Sequence, residues 1–568
     1  MTAGVREEPR EAVPPATPRW LPLPTLLALL VGCAGVGYRL ALLLADAPPT
    51  NSDEATMGLA ALHIARGDAF PVWFYGQAYM GTLEAYLAAP LVALAGPSVL
   101  VLRLPTLALY ALFLLLSWRL TRRLGGDRWY ALLVVAVLAL GADRVVKNQL
   151  IAGGGYPELN PAGVALALLT VGLCVGGPGA RLPRWAAWGL VAGVLLWVDP
   201  LILPYVLTLG ALLLAWRRRE LAGPAGAVLV GALLLGTAPM LLDSLRHGRD
   251  PVGAVLAASA SDGGAVGWAE RLHGGLVLGP PLAMGFCSPG HCATWQLWWA
   301  VAFPVLLLLA TVAALRELRR RPPGRPGPAG ERGRLSPATD GGGPASAPRV
   351  SSGVRAALLV ATVAVLAAYV ASRAAGRTPV ESSRYLSGLL IALPALLWPL
   401  WQTARRHAAH PRGHRRPGGR AAGGPLRRAA GFGAAAVLAG VFVTGTAATV
   451  DVVRAVPAVH AEADRHRSLV DTLGALDVRH VRGGYWTCNR LTYATGEDVR
   501  CAVVDDELRP GFDRLSAYRR EVAADPGAGW VAPAGSPLAA RLDTLVGPTS
   551  GALDVVTVAG WRIYLPRR

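Results

Sequence analysis

Two adjacent carboxylates, Asp53 and Glu54, are the residues of this chain best placed to do chemistry. They lie just after the first long apolar run, residues 21–45, within the segment TNSDEATMGL. An acidic side chain at that position can reach both a lipid-borne molecule and water. Adjacent carboxylates repel, so one tends to keep its proton while the other stays ionised and can act as a general base. We therefore predict that Asp53 and Glu54 are catalytic.

Helix capping is the alternative explanation for this pair. Asn51 or Ser52 can cap a helix whose first turn holds the two carboxylates, and acidic residues favour helix N-termini because of the backbone dipole. Capping suffices to explain one carboxylate. It explains two less well, because both would be held beside an apolar helix face.

An aromatic segment, FPVWFYGQAYMG (70–81), follows the carboxylates and could lie along a bilayer surface. Its polar residues could line a binding site, whereas its aromatic residues could equally form a belt at the membrane interface. A second segment, GGGYPELN (153–160), is a glycine-rich turn that lets backbone approach a ligand, but it lacks the Lys-Ser/Thr ending of a nucleotide loop. We expect five residues of these regions to bind substrate: Gln77, Tyr79, Glu84, Tyr156 and Glu158.

The composition shows what kind of fold must position these residues. Hydrophobic residues make up 53% of the 568-residue chain, charged residues make up 16%, and the mean hydropathy is +0.41, which excludes an ordinary soluble protein. Apolar runs long enough to cross a hydrocarbon core of ~30 Å recur along the chain. We predict a mainly α, polytopic membrane protein of about eleven transmembrane helices, near residues 21–45, 98–118, 129–146, 159–176, 185–198, 201–216, 222–242, 295–315, 353–372, 384–402 and 429–449.

The net charge of +19 is concentrated in arginine-rich blocks. Such blocks follow the second and sixth spans, and residues 316–334 and 404–428 hold seven and eight arginines. All of them fall on one side if the spans alternate, which is the positive-inside pattern of a multi-pass plasma-membrane protein with a cytoplasmic N-terminus. We therefore interpret these blocks as solvated cytoplasmic linkers and expect no nucleic-acid partner.

The chain is predicted to have three parts. They are a disordered cytoplasmic tail (1–20), a transmembrane domain (21–449) with an exported loop (46–97) and two cytoplasmic linkers (316–352 and 403–428), and an extracytoplasmic domain (450–568). The last part has ordinary soluble composition. Strands are expected at VRHVR, CAVVD and VVTVAGWRIYL, and helices at 459–475, 512–523 and 536–546, so the domain is predicted to be a small α/β unit.

Four of the six cysteines fall in segments predicted to be exported, where oxidation favours disulfides. Two local pairs are expected, Cys287 with Cys292 and Cys488 with Cys501. A metal site is the competing interpretation of the first pair, because His291 adjoins Cys292, but no second ligand pair is evident. No other histidine has metal-ligand spacing, so we predict no metal and no other cofactor.

The motifs SDEATMGL and FPVWFYGQAYMGTLEAYLAAP, followed by Arg103 and Pro105 in the second span, resemble the GT-C superfamily of membrane glycosyltransferases. The likeness is closest to the branch of protein O-mannosyltransferase and aminoarabinose transferase relatives. It is strongest over about 50–110 and continues more weakly through GGGYPELN, WVDP (197–200) and SSRYL (382–386). It also covers the layout of many spans with an exported C-terminal domain.

This resemblance implies an activity and a role for Asp53. Enzymes of that family take a sugar from a polyprenyl-phosphate donor and pass it to an acceptor on the outer face of the membrane. An Asp-Glu pair stands at this place in the first exported loop, and the Asp is the expected base, which here is Asp53 with Glu54 beside it. Some relatives in the superfamily use a divalent metal, but no motif of this chain indicates one.

A departing polyprenyl phosphate needs cations at the membrane edge. The candidates for binding the donor phosphate are Arg384 with its neighbour Tyr385, Arg144, Lys147 and Arg103. Two alternatives stay open here. Arg384 could be an interfacial anchor, and Arg103 could pair with an acidic neighbour or a backbone carbonyl.

The main hypothesis is an inverting membrane glycosyltransferase, a hexosyl- or pentosyltransferase of the cell envelope such as a mannosyltransferase. Its partners would be the bilayer, a polyprenyl-phosphate sugar and a glycan or protein acceptor. One rival is a transporter or flippase of lipid-linked sugars, although no convincing internal repeat is evident and the ionisable residues cluster at the outer edge of the membrane. A second rival is a non-catalytic relative that binds envelope polymer.

Overall fold

The computed structural model describes residues 21–175, 181–260, 264–320, 347–409, 424–546 and 553–567. The predicted tail, residues 1–20, lies outside the described residues. The same holds for residues 321–346 and 410–423, which make up most of the two predicted linkers. The flanks of both linkers are helical where they are described.

The described membrane region is helical throughout. Its helices are α1 (Leu23–Leu44), α2 (Ser52–Arg66), α3 (Leu83–Ala95), α4 (Val99–Arg123), α5 (Arg128–Ala139), α6 (Asp143–Leu150), α7 (Tyr156–Cys174), α8 (Leu182–Val198), α9 (Leu203–Leu221), α10 (Pro224–His247), α11 (Pro251–Ala260), α12 (Trp268–Leu272), α13 (Gly279–Ala283), α14 (Trp299–Arg319), α15 (Ala347–Ala371), α16 (Ala374–Arg377), α17 (Pro379–Ser382), α18 (Leu393–Leu396), α19 (Trp398–Ala409) and α20 (Gly424–Ala475). Short 3₁₀ segments occur at Pro200–Ile202, Thr294–Trp298 and Ser383–Ala392, and a π-helical turn occurs at His273–Leu278.

Nine helices in the described part of the chain are long and apolar enough to cross a membrane, and a bent pair raises this number to ten. Each of the eleven predicted spans overlaps a helical segment of the structure. The one that is not among these ten is the predicted span 185–198, which overlaps α8; this helix has 17 residues, so it is about 25 Å long and shorter than a hydrocarbon core. The chain is therefore a multi-pass membrane protein, as predicted.

The predicted span 129–146 is broken into α5 and α6, which meet at an angle of 92°. The break falls at Gly141, whose φ is 156°. Glycine adopts this φ without strain, whereas a residue with a side chain rarely does. After the break, α6 changes from an apolar to an amphipathic helix that begins at Asp143 and carries Lys147 in its last turn. This bend brings the basic side chains of α6 toward the segment that precedes Arg384.

A C-terminal domain, defined here as α21 to α23 with β1 to β5, follows α20. Its elements are β1 (His480–Gly483), α21 (Tyr485–Ala494), β2 (Arg500–Val503), α22 (Ser516–Ala524), β3 (Gly529–Pro533), α23 (Pro537–Val546), β4 (Leu553–Val558) and β5 (Trp561–Pro566). The sheet order is β2-β1-β3-β5-β4, with β1 parallel to β2 and β3, and β5 antiparallel to β3 and β4. The predicted α/β character of this domain is confirmed.

Three details of the C-terminal region differ from the prediction. The predicted span 429–449 and the predicted helix 459–475 form one helix, α20, which continues through Pro457 and crosses the predicted domain boundary at residue 450. Helix α21 was not predicted, because YWTCNRLTYA is rich in β-branched and aromatic residues of modest helix propensity. Strand β3 was also not predicted, because GWVAP is short and bounded by glycine and proline.

Helix α21 docks the C-terminal domain onto α2. The Ser52 hydroxyl donates to the carbonyl oxygen of Tyr485, and the Asn489 amide donates to the Thr56 hydroxyl at 2.8 Å. The ring of Tyr493 packs against the backbone at Gly58, where any Cβ would come within 2.6 Å of ring carbons. The absence of a side chain at Gly58 therefore sets how closely the two helices approach.

A charged cluster closes the other end of this interface. The Glu497 carboxylate accepts from His63 Nε2 at 3.1 Å, from Arg66 Nη1 at 2.5 Å and from the Tyr518 hydroxyl at 2.7 Å. His63 Nδ1 is hydrogen-bonded to the Tyr75 hydroxyl at 2.7 Å. His63 thus links α2 to the C-terminal domain, in keeping with a packing role.

Replacing Gly58 with Ala tests the close approach of α2 and α21. The added methyl would overlap the Tyr493 ring, so we expect a loss of about 1–3 kcal/mol in stability. Thermal unfolding of the full chain in detergent would measure this loss. The control is Gly37→Ala, since no atom lies within 4 Å of a Cβ built at Gly37 in α1. Equal melting temperatures for both variants would contradict the packing argument.

The charged cluster predicts a pH dependence of stability. Burial alone would raise the pKa of Glu497, but the hydrogen bonds from His63 and Tyr518 and the charges of His63 and Arg66 outweigh burial and lower the pKa from 4.5 to about 2. A carboxylate whose pKa is lower in the folded state stabilises that state above its unfolded pKa, and the contribution is lost as the pH falls through the folded pKa. The contribution of Glu497 is therefore complete above about pH 4.5 and disappears toward pH 2.

The measurement is the difference in melting temperature between the wild type and Glu497→Gln across this pH range. We expect the difference to shrink steadily toward zero as the pH falls from about 5 to 2. Glu507→Gln serves as the control, because the Glu507 side chain is 64% exposed in the same domain. A difference for Glu497→Gln that does not change with pH would contradict the argument.

Candidate functional site

The N-terminus of α2 holds the two predicted carboxylates, and the helix begins there because Asn51 caps it. The Asn51 side-chain oxygen accepts from the Glu54 amide at 2.9 Å. Successive residues of a helix point in directions about 100° apart. Asp53 and Glu54 therefore face different surroundings although they are adjacent in sequence.

Glu54 is fully buried and forms a two-pronged ion pair with Arg103 of α4. Arg103 Nε lies 2.6 Å from Glu54 Oε1, and Arg103 Nη2 lies 2.6 Å from Glu54 Oε2. Arg103 Nη1 donates to the Pro48 carbonyl at 2.8 Å, and the Arg103 side chain is only 1% exposed. This geometry matches the alternative in which Arg103 pairs with an acidic neighbour and a backbone carbonyl. All three nitrogens of Arg103 are hydrogen-bonded to protein atoms and not to a phosphate. For Glu54 this geometry corrects the predicted catalytic role, because a carboxylate sealed in this pair cannot meet a substrate.

Asp53 lies at the surface of the site, with its side chain 25% exposed. Its Oδ1 accepts from Arg514 Nη2 at 2.8 Å and from the Tyr485 hydroxyl at 2.6 Å. Both donors belong to the C-terminal domain. The sequence did not point to either residue, because they lie 461 and 432 positions from Asp53 and no local pattern marks them.

Glu84 connects the first loop to the glycine-rich turn. The amides of Gly154 and Gly155 donate to its two carboxylate oxygens, each at 3.1 Å, and its side chain is almost fully buried. Burial raises the pKa of Glu84, which these two amides oppose. Glu158 is buried beside Glu84, and the two carboxyl groups are electrostatic neighbours. The structure thus brings together two predicted substrate-binding residues as a buried carboxyl pair.

Arg384 lies in the 3₁₀ segment Ser383–Ala392, half-buried, with its guanidinium 5.5 Å from the ring centre of Tyr385. It is within electrostatic range of Asp53, Tyr156 and Asp199. Its Nε atom is buried without a hydrogen-bond partner among the described residues. A half-buried cation with an unused donor can bind an anion at this position.

Arg144 of α6 lies near Arg384, whereas Lys147 forms an ion pair with Asp143 in its own helix. Arg144 Nη2 donates to the Val380 carbonyl at 2.9 Å, just before the Arg384 segment, and Arg144 is an electrostatic neighbour of both Arg384 and Tyr156. Lys147 pairs with Asp143 at 2.8 Å and is 30% exposed. The side chain of Lys147 would have to leave Asp143 to bind a phosphate.

Asp199 caps the short 3₁₀ segment that begins at Pro200. Its side chain accepts from the Leu201 amide at 2.9 Å, and Pro200 occupies the first position. Asp199 is also buried, near Arg384 and Tyr156. It therefore adds an acidic group to the same site besides capping a helix.

Tyr79 and Gln77 fall on different sides of the aromatic segment. Tyr79 lies in electrostatic range of Arg384 and Arg514, and burial raises its pKa, so its hydroxyl remains a donor. Gln77 instead lines a cleft of about 720 Å³ between the aromatic segment and the end of α10. Arg246 is among the residues on the far side of that cleft. Tyr79 belongs to the group around Asp53, and Gln77 does not.

Both predicted disulfides are present. Cys287 pairs with Cys292, and Cys488 pairs with Cys501. The second bond ties α21 to β2, one turn after Tyr485. It therefore supports the helix that carries one of the two donors to Asp53. Over the described ranges, no group of three or more His, Cys, Asp or Glu side chains is arranged to hold a metal ion.

Comparisons with known proteins were informative at the level of fold. No protein-family model and no curated protein sequence matches the chain. The crystal structure of ArnT from Cupriavidus metallidurans bound to undecaprenyl phosphate aligns with a TM-score of 0.53 at 15% identity, covering 96% of this chain and 97% of that chain. The apo structure of the same ArnT aligns with a TM-score of 0.52 over the same shares.

A weaker likeness, with a TM-score of 0.49 at 11% identity, links the chain to the archaeal oligosaccharyltransferase AglB from Archaeoglobus fulgidus, covering 96% of this chain and 74% of that chain. The ArnT alignments run from the membrane helices through the C-terminal domain. The architecture matches the one that the sequence motifs implied. The chain has a GT-C-like polytopic fold.

Proposed function

We propose that the protein is a membrane glycosyltransferase that moves a sugar from a polyprenyl-phosphate donor to an acceptor at the extracytoplasmic face. The observation that supports this most is the convergence of a partly exposed carboxylate, Asp53, with a half-buried cation, Arg384. A base and an anion-binding group are the two functions that displacement of a phosphate by a hydroxyl requires. The ArnT structure that shares this fold has undecaprenyl phosphate bound, which supports a lipid-phosphate donor.

In the proposed reaction, the acceptor hydroxyl oxygen forms a bond to the anomeric carbon of the sugar. The bond between that carbon and the phosphate oxygen breaks, and its electron pair leaves with the polyprenyl phosphate. The hydroxyl proton passes to Asp53. A single displacement of this kind inverts the anomeric carbon and needs no covalent sugar–protein intermediate.

The basic groups of the site stabilise the leaving phosphate. Arg384 and Arg144 lie near each other and near the Tyr156 hydroxyl, so together they offer an anion several donors. Charge-assisted hydrogen bonds are about twice as strong as neutral ones. The proposal therefore assigns the donor phosphate to Arg384 and Arg144, with Tyr385 stacked beside the guanidinium.

The buried carboxyl pair of Glu84 and Glu158 is proposed to shape the sugar site by holding the glycine-rich turn, since the Gly154 and Gly155 amides donate to Glu84. Tyr79 and Tyr156, which are electrostatic neighbours of each other and of Asp199, add two phenolic donors to the site. We include hexose and pentose donors in the proposal, mannose among them, and either a glycan or a protein as acceptor. No metal or other cofactor takes part in the proposed reaction.

The sidedness of the site is also part of the proposal. The N-terminus is placed in the cytoplasm and the C-terminal domain outside the cell, because the arginine-rich blocks at 316–334 and 404–428 then lie inside. The site would thus face the compartment in which the two disulfides are stable.

Replacing Asp53 with Asn tests the base. We expect the rate of sugar transfer to fall by about 10²–10⁴-fold, because Asn keeps the shape of Asp but cannot take up a proton. The assay uses the full chain in proteoliposomes with tritiated undecaprenyl-phosphate mannose, arabinose and aminoarabinose offered separately. The readouts are label in acceptor material from cell-envelope extracts and release of free undecaprenyl phosphate.

The matched control for this variant is Asp68→Asn, since Asp68 is exposed just beyond the end of α2. It should transfer at the wild-type rate. Undiminished transfer by Asp53→Asn would remove Asp53 from the base role. Donor flipping across the bilayer without transfer, by the wild type, would favour a transporter instead.

Replacing Arg384 with Ala tests the phosphate site. Losing one hydrogen-bonded charge should weaken binding of undecaprenyl phosphate by about 10- to 100-fold. Quenching of tryptophan fluorescence on titration with undecaprenyl phosphate would measure this. Arg377→Ala provides the control, because Arg377 is exposed seven residues earlier in the chain. If both variants bind equally well, Arg384 does not hold the phosphate.

A further inference from the structure

We propose that Arg514 and Tyr485 of the C-terminal domain are positioning residues for Asp53. On this proposal they hold one oxygen of its carboxylate so that the other oxygen receives the acceptor proton. The proposal rests on the proposed function, because it assumes that Asp53 is the base. It makes the C-terminal domain an integral part of the reaction centre.

All three nitrogens of Arg514 are hydrogen-bonded, so its side chain can hold the Asp53 carboxylate in one position. Its three nitrogens donate to Asp53 Oδ1 at 2.8 Å, to the Tyr485 hydroxyl at 2.5 Å and to the Tyr75 carbonyl at 3.1 Å. Its guanidinium carbon lies 4.5 Å from the ring centre of Phe74, and the side chain is 8% exposed. A planar guanidinium with every edge engaged has little freedom to rotate.

Tyr485 supplies the second restraint on the same oxygen. Its hydroxyl donates to Asp53 Oδ1 at 2.6 Å and accepts from Arg514 Nε. Burial and the negative charge of Asp53 raise the pKa of Tyr485, so the hydroxyl keeps its proton and remains a donor. The Tyr485 backbone is fixed in turn by the Ser52 hydroxyl, next to Asp53 in sequence.

Both hydrogen bonds converge on Oδ1, and this asymmetry decides which oxygen of Asp53 reacts. Within the described part of the chain, Oδ2 receives neither of these hydrogen bonds. Two further charged groups are relevant to Asp53: Arg384, which interacts with it electrostatically, and Glu54, its neighbour in sequence, whose charge is matched by Arg103. Oδ2 is therefore the oxygen that an acceptor hydroxyl can approach.

The aromatic segment shows that the C-terminal domain is seated closely over this point. A Cβ at Gly76 would come within 3.3 Å of the Arg514 backbone and 3.2 Å of the Phe512 ring. Gly76 has a φ of 76°, which glycine adopts without strain. The loop is thus shaped to let Arg514 reach across to Asp53.

The test compares Arg514→Ala, Arg514→Lys and Tyr485→Phe with the wild type in the proteoliposome transfer assay. Because a misplacement of about 1 Å can cost on the order of 100-fold in rate, we expect Arg514→Ala to lower kcat by about 10- to 100-fold. The KM for the donor and the binding of undecaprenyl phosphate should not change. Arg514→Lys should recover part of the loss, and Tyr485→Phe, which removes one of two hydrogen bonds, should lose less than Arg514→Ala.

A double variant separates positioning from an independent role. If Arg514 acts only through Asp53, then Asp53→Asn with Arg514→Ala should be no slower than Asp53→Asn alone. The matched control is Arg66→Ala, which removes an arginine from the same domain interface without touching Asp53. It should keep the wild-type kcat.

Thermal unfolding of the wild type, Asp53→Asn, Arg514→Ala and the double variant tests the contact independently of any activity assay. The effects of the two substitutions on stability should be non-additive, because the residues share a contact. Additive effects would overturn the proposal. Non-additive stability together with a wild type that transfers no sugar would instead count against the proposed function alone.

Three results from the transfer and binding assays would also overturn the proposal. A faster Arg514→Ala variant would mean that Arg514 blocks the base. Weaker binding of undecaprenyl phosphate by that variant would mean that Arg514 is a phosphate ligand. An equal loss of kcat in Arg66→Ala would mean that only docking of the domain matters.

Discussion

The buried ion pair between Glu54 and Arg103 is the interaction on which the site depends. It joins the first turn of α2 to α4 with two short hydrogen bonds, and its two side chains have almost no contact with solvent. Removing one partner of such a pair typically costs 3–5 kcal/mol, because the other charge stays buried. The pair therefore fixes the start of α2, and with it the direction in which Asp53 points.

A second constraint comes from the C-terminal domain, which contacts Asp53 and the aromatic segment directly. Asp53 is contributed by the membrane region, while Arg514 and Tyr485 are contributed by the domain. The Glu497 cluster and the Gly58–Tyr493 contact seat the domain on α2 away from Asp53. The interface therefore separates groups that dock the domain from groups that contact the candidate base.

The site as a whole divides its charges by location. Carboxyl groups of Glu84, Glu158 and Asp199 lie in the interior, and Arg384, in a 3₁₀ segment, is an electrostatic neighbour of Asp199. In a 3₁₀ helix the hydrogen bonds run from i to i+3, so the side chains follow a tighter spiral than in an α-helix. The predicted span 384–402 departs from a regular α-helix in this segment, which contains Arg384, the anion-binding residue of the proposal.

Sequence alone determined the class of protein, the approximate position of each membrane helix, the α/β character of the C-terminal domain and the two disulfide pairings. These features follow from local hydrophobicity, length and cysteine spacing, which operate over tens of residues. It also singled out Asp53, Glu84, Glu158 and Arg384 as candidate site residues, because motif and loop position are local properties too, and their roles stay predictions. Only the tertiary structure decided that Glu54 is sealed against Arg103 while Asp53 faces the site, and that Arg514 reaches Asp53. The physical reason is that a helix turns by about 100° per residue and that contacts spanning 461 positions leave no trace in a local pattern.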